Sequence, residues 1–221
     1  MRQILIFDLD GTLIDSAPDL HRALLRLLAD ENLPPLTLAQ VTGMVGDGAA
    51  ALVARAFERA GRPAGADLPH LLARFLEMYE AGIAVLTRPF PGVPETLADL
   101  YRTGHRMAVC TNKPDLPTRI VLDALGLAHY FEVIVGGDSA PARKPDPGHL
   151  MAILHRMQAD PHDAVMIGDG ANDLHAAQAA GIPLILAGYG YGVRGTTDIA
   201  PAAIIDAFAA LPAALERLGI G

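Results

Sequence analysis

Five short apolar runs constrain this chain more than any other feature: ILIF at 4–7, MAVC at 107–110, VIV at 133–135, AVMI at 164–167 and LIL at 184–186. Each run is unbroken rather than alternating. That is the pattern of strands covered on both faces, as in a parallel sheet between two helical layers. Between the runs, apolar residues recur at helical spacing near 94–102, 118–125, 150–157 and 172–180. The alternation of strand and helix predicts an α/β fold with a Rossmann-like parallel sheet. A last edge strand and a final helix are expected within 202–218.

The first two runs are separated by a long segment, 16 to about 86, whose apolar pattern is helical throughout. Leu20, Leu24, Leu27 and Leu28 form one stripe, with Asp15 or Ser16 as its N-cap. Leu52, Val53, Ala56 and Phe57 form a second, stopped by Gly61 with Pro63 beyond. Leu71, Leu72, Phe75, Leu76 and Tyr79 form a third. The expected organisation is a core domain of residues 1–14 and 87–221, with an all-helical domain, 15–86, inserted after the first strand. The Gly-rich stretch Thr42-Gly43-Met44-Val45-Gly46-Asp47-Gly48-Ala49 links two of its helices.

Composition narrows the class. With 51% hydrophobic and 19% charged residues, the chain is neither disordered nor a polyelectrolyte. Twenty-five acidic against 17 basic side chains leave a net charge of −8, which argues against nucleic acid and anionic membranes as partners. The apolar stretches are too short to span a bilayer. The N-terminal segment lacks the core and cleavage site of a signal peptide. Cys110 is the sole cysteine, so no intrachain disulfide forms, and at the end of a buried run it reads as a packed, inert thiol. A cytoplasmic monomer or homodimer is expected.

Polar clusters follow the runs. Asp8-Leu9-Asp10-Gly11-Thr12 follows the first, Thr111-Asn112-Lys113 the second, and Gly168-Asp169-Gly170-Ala171-Asn172-Asp173 the fourth. After the third come a Gly-rich turn and Arg143-Lys144-Pro145. Taken singly, each resembles ordinary turn or cap chemistry. Ligands of open α/β sheets bind at the carboxyl ends of strands, so the four clusters should converge in one crevice. Four aspartates there require a cation, and an oxygen-only donor set points to Mg²⁺. A lysine and a hydroxyl beside them supply donors for a phosphoryl group.

These four clusters, in this order and spacing, resemble the motifs of the haloacid dehalogenase (HAD) superfamily, and the helical insertion resembles that superfamily's C1-type cap. The resemblance implies a phosphatase in which Asp8 is the nucleophile and forms an aspartyl-phosphate. Asp10 would protonate the leaving oxygen and then activate water. Thr111, the backbone around Asn112, and Lys144 would bind the phosphoryl group. Mg²⁺ would be held by Asp8, the Asp10 carbonyl and Asp169, with Asp173 orienting a metal-bound water. True dehalogenases lack the second acid that Asp10 provides. Phosphonatases use a cap lysine, and this chain has no lysine before residue 113.

The sequences Gly11-Thr12-Leu13-Ile14-Asp15-Ser16, Thr111-Asn112-Lys113-Pro114, Gly136-Gly137-Asp138 and Gly188-Tyr189-Gly190-Tyr191-Gly192 resemble those of bacterial phosphoglycolate phosphatases, which implies 2-phosphoglycolate as substrate. Sugar phosphates, nucleotides and pyrophosphate are the alternatives within the reaction class. A phosphosugar mutase and a phospho-aspartate signalling module are more distant readings. A substrate carboxylate would want a cation from the helical insertion, and Arg22, Arg26, Arg55 and Arg59 are candidates.

Overall fold

All five apolar runs become strands of one parallel sheet in the computed structural model, which describes residues 4–192 and 199–219. The chain runs β1 (Ile4–Phe7), β2 (Ile14–Asp15), then four helices, α1 (Ala17–Asp30), α2 (Leu38–Thr42), α3 (Ala49–Arg59) and α4 (Leu68–Glu80). It continues through β3 (Arg88–Pro89), α5 (Val93–Arg102), β4 (Arg106–Cys110), α6 (Asp115–Ala124), β5 (Val133–Val135) and α7 (Gly148–Met157). It closes with β6 (Ala164–Gly168), α8 (Ala171–Ala180), β7 (Leu184–Ala187), the edge strand β8 (Ala203–Ile205) and α9 (Leu211–Arg217).

The sheet order is β5-β4-β1-β6-β7-β8, with every neighbouring pair parallel. Strand alternation divides its side chains between two layers. Leu5, Phe7, Val109, Val165 and Ile167 pack with Leu97 of α5, Val121 of α6 and Leu211 of α9. Ile4, Ile6, Ala108 and Met166 pack on the opposite face with Leu150 and Ile153 of α7 and Ala177 of α8. Burial on both faces, at about 1.5–3 kcal/mol for each large apolar side chain, is why the runs are unbroken. At the β5 edge, Val133 and Ile134 are half-buried, since among the described residues no strand lies beyond them.

Helices α1–α4 have a separate core, with Leu24, Leu27, Val53, Phe57 and Phe75 all buried. α2 was not marked by periodicity. It is one short turn nucleated by a capping box, in which the Thr37 N–H donates to Gln40 and the Gln40 N–H to the Thr37 hydroxyl. The chain leaves the sheet for this unit and returns from it through an antiparallel ribbon pairing Ile14 with Pro89 and Asp15 with Arg88. Among the described residues no helix is long and apolar enough to cross a membrane.

Asp19 of α1 fastens the return path. One carboxylate oxygen accepts the Leu86 N–H at 2.9 Å and both the N–H and hydroxyl of Thr87 at 2.8 Å. Asp19 is fully buried. Asp19→Ala would leave three donors unpaired beside the ribbon and should lower the unfolding free energy by about 3 kcal/mol in urea titrations. An unchanged midpoint would contradict this role for the carboxylate.

Candidate active site

β1, β4 and β6 end level, because Phe7 lies opposite Val109 on one side and Ile167 on the other. The residues that follow each strand therefore emerge side by side at the carboxyl edge, where the sheet changes winding direction. Asp8 still belongs to the ladder, donating its N–H to the Ile167 carbonyl at 2.9 Å. Its carboxylate accepts from Lys144 Nζ at 2.8 Å. The same ammonium donates to Asp173 Oδ1 at 2.6 Å and to the Cys110 carbonyl at 2.5 Å. Burial works against that charge, but Asp173 and Asp8 override it and hold Lys144 protonated. Burial pushes the Cys110 thiol up to about 12, so it is inert as expected.

Carboxylate oxygens of Asp8, Asp169 and Asp173 lie within 4.8 Å of one another. Burial, with help from Asp173 and Asp169 and against Lys144, pushes Asp8 up to about 8. Burial and then the Asp173 charge push Asp169 up to about 6, against the three hydrogen bonds it accepts. Those come from the Thr12 hydroxyl at 3.0 Å and from the N–H groups of Tyr191 and Gly192 at 2.8 and 3.0 Å. Fully ionised, three carboxylates around one ammonium would carry two uncompensated negative charges, which is why burial raises Asp8 and Asp169. An oxygen-only set of that charge fits a hard divalent cation.

The Gly-Tyr stretch is a bracket for Asp169 rather than a free loop. A Cβ on Gly190 would stand 2.3 Å from Asp169 Cβ, and one on Gly11 would stand 2.4 Å from Asp169 Oδ2, so only glycine permits this approach. The tyrosines anchor the bracket to the first motif. Tyr189 donates its hydroxyl to the Thr12 carbonyl at 2.8 Å, and Tyr191 donates its hydroxyl to Asp15 at 2.5 Å.

Asp10 faces another way. Its carboxylate accepts the Ser16 hydroxyl at 2.5 Å and Lys113 Nζ at 3.2 Å to each oxygen. Ser16 does precede α1, but its hydroxyl serves Asp10 and caps no helix N–H. Lys113 is buried, with Nζ 4.6 Å from the centre of the Tyr79 ring of α4. Lys113 was quoted in the sequence motif without a role. The signal was available: the chain has two lysines, and both lie in these clusters.

Thr111 is buried, and its hydroxyl oxygen accepts the Lys113 N–H at 3.2 Å. The Asn112 amide donates to the Gly46 carbonyl at 3.0 Å and to the Lys144 carbonyl at 2.9 Å. Its side chain thus ties the α2–α3 loop to the Lys144 loop. The same loop is held to α8 by Asn172, which donates to Asp47 at 2.6 Å. Of the four candidate arginines, Arg55 lines the cleft, paired there with Asp47. Arg22 turns to Asp19 and the Gly82 carbonyl, and Arg26 and Arg59 are exposed.

Two cavities meet at Asp8, Asp10, Val45 and Gly46. The larger, about 370 Å³, is polar and lined by Lys144, Asp169, Asp173 and Arg55. The smaller, about 40 Å³, lies between the helical unit and the sheet and is lined by Thr111, Lys113, Tyr79, Phe75 and Leu52.

Residues 5–187 match the family model of the haloacid dehalogenase-like hydrolases. The chain belongs to that family. The resemblance carried by the four motifs is thereby borne out, and this HAD hydrolase has well-matched relatives. The phosphoglycolate phosphatase of Caulobacter vibrioides is 45% identical over 213 residues, covering 96% of this chain and 90% of that protein. A crystal structure described as a predicted phosphoglycolate phosphatase from Haemophilus somnus 129pt aligns with a TM-score of 0.89 at 33% identity, covering 96% of this chain and 97% of that one. CbbY from Rhodobacter sphaeroides, crystallised with phosphate, aligns with a TM-score of 0.83 at 26% identity, covering 98% and 100%.

Behind the site of this HAD hydrolase, the fully buried His149 accepts the Lys144 N–H on Nδ1 at 3.2 Å. Burial, then the Lys144 charge, lowers its pKa from 6.5 to about 4. The unfolded chain therefore takes up a proton below pH 6.5 that the folded chain refuses until about pH 4. The contribution is intact above pH 6.5 and is lost as pH falls across that window, by at most about 1.4 kcal/mol per pH unit. His149→Asn keeps an acceptor for the Lys144 N–H without titrating. Urea titrations from pH 7 to 4 should show a shallower loss in that variant, and parallel curves would refute the assignment.

Proposed function

We propose that this hydrolase cleaves a small phosphomonoester through an aspartyl-phosphate on Asp8, with 2-phosphoglycolate as substrate and Mg²⁺ as its metal. One observation carries the reading: two carboxylates at the end of β1 are held in opposite settings. Asp8 is bonded to Lys144 inside the three-carboxylate set, while Asp10 stands apart with Ser16 and Lys113. That contrast supports a division in which one attacks and the other transfers a proton. The Caulobacter relative named above supports the choice of substrate.

Asp8 attacks phosphorus as the ester P–O bond breaks, and Asp10 gives its proton to the departing oxygen. Asp10 then takes a proton from water as that water attacks the acyl phosphate, releasing phosphate and restoring Asp8. Lys144, the Thr111 hydroxyl and the N–H groups around Asn112 hold the phosphoryl oxygens through both steps. Asp8, Asp169 and the Asp10 carbonyl would hold Mg²⁺, with Asp173 beside it, and the ion would offset the repulsion between phosphate and Asp8. Residues 15–86 act as a cap over this crevice.

Asp8→Asn should lower phosphate release from 2-phosphoglycolate by about 10⁴-fold or more. Turnover near the wild-type rate would end the aspartyl-phosphate mechanism. Chelation with EDTA should abolish activity and Mg²⁺ should restore it. Independently of turnover, Mg²⁺ should raise the Tm of the chelated protein through binding to the folded state, and Asp169→Asn should lose that rise.

A further inference from the structure

The two cavities share Asp8 and Asp10, and the smaller alone is lined by Thr111 and Lys113, so beside the phosphoryl position it offers a seat for a leaving group. Its walls are largely apolar, with Leu20, Val45, Leu52, Phe75 and Leu76 contributed by the helical unit. Among the described residues lining it, Lys113 is the one cation. An ammonium has three N–H donors, and Asp10 accounts for two of them at 3.2 Å.

Tyr79 supplies the second observation. It is 2% exposed, its ring lies against the Lys113 ammonium, and its hydroxyl, whose neighbour is that same ammonium, has no acceptor at bonding geometry. A buried orphan hydroxyl is costly, and such groups in folded proteins ordinarily have partners. A small lobe with one cation and one unsatisfied hydroxyl is built for a compact anionic acceptor.

We infer that Lys113 and Tyr79 form a specificity subsite for a carboxylate carried one or two carbons from the ester oxygen, so that the substrate class is short phosphorylated acids. The inference rests on the phosphomonoesterase reading and refines it. Size agrees with it: the lobe, about 40 Å³ against about 370 Å³ for the cavity it joins, is the narrow end of the crevice and suits a compact group. Lys113 follows β4 and Tyr79 belongs to α4, so the subsite exists only where the helical unit meets the sheet. Neither residue is among the four arginines suggested by the sequence.

The test compares kcat/KM for 2-phosphoglycolate and ethyl phosphate, which has a methyl group in place of the carboxylate, with Mg²⁺ present. Wild type should prefer the carboxylate-bearing ester. Tyr79→Phe removes only the hydroxyl and keeps the ring, and it should reduce that preference about tenfold, mainly through KM. Lys113→Met should reduce it further, beyond whatever loss both esters share through Asp10. Equal losses for the two esters in both variants would overturn the subsite and leave Lys113 as a partner of Asp10. A wild type that turns over ethyl phosphate equally well would overturn the subsite and leave the phosphatase reading standing. A wild type that hydrolyses neither ester nor any other phosphomonoester would overturn the phosphatase reading, and the subsite with it.

Discussion

Like charges crowded at the carboxyl edge of the sheet set the terms for everything around them. Asp8, Asp169 and Asp173 stand within 4.8 Å of one another, with Lys144 bonded to two of them, and all four are buried or nearly so. Desolvated carboxylates in such a group repel one another strongly unless each is held and partly compensated. The chain meets this with fixed donors. Asp169 has a hydroxyl and two main-chain N–H groups, and Gly11 and Gly190 let those segments close on it. Asp173 lies in the first turn of α8 and accepts the Gly170 N–H at 3.1 Å while it pairs with Lys144. Capping the helix and facing Asp8 and Asp169 are one placement, since a helix N-terminus favours negative charge.

A second constraint separates Asp8 from Asp10. The two carboxylates lie two residues apart in sequence yet take different partners. The two lysines supply the difference. Lys144 is tied to the three-carboxylate set, and Lys113 lies on the far side of Asp10 against an aromatic ring of the helical unit. Asn112 and Asn172 fasten the loop between α2 and α3 to the sheet edge. The groups bonded to or stacked around the Asp10–Lys113 pair thus come from both the sheet and the helical unit, whereas the Asp8 carboxylate is bonded by Lys144 of the loop after β5.

Much of this was legible before any coordinates. Unbroken apolar runs located the sheet because double burial leaves a plain compositional trace, and the polar residues after each run had to meet once the strands were parallel. What stayed hidden has physical reasons. The β2–β3 ribbon has two residues per strand, too few for any period, and α2 depends on a capping box rather than an apolar stripe. Ser16 was read as a cap because sequence shows a hydroxyl before a helix and not the carboxylate beside it. Arg55 could not be chosen from four arginines, since which face of a helix overlooks a cleft depends on packing between units. The purpose of the Gly-Tyr stretch was not legible, because it is the closeness of Asp169, a residue some twenty positions earlier.

Net charge and local charge diverge here for a definite reason. Over the whole surface the chain carries −8, which disfavours polyanions. Inside the crevice the positive groups are few, buried and separated. Lys144 stands with the proposed metal ligands on one side of Asp8, and Lys113 with Tyr79 on the other side of Asp10. Arg55, at the polar mouth, already has Asp47 as its counter-charge. Under the phosphomonoesterase reading, a ligand negative at both ends would have one positive centre near each end, with Asp8, Asp10 and the apolar wall of the helical unit between them. Selection then depends on the distance between the two charges of the substrate, and a short uncharged leaving group is disfavoured because it gives the buried Tyr79 hydroxyl no acceptor.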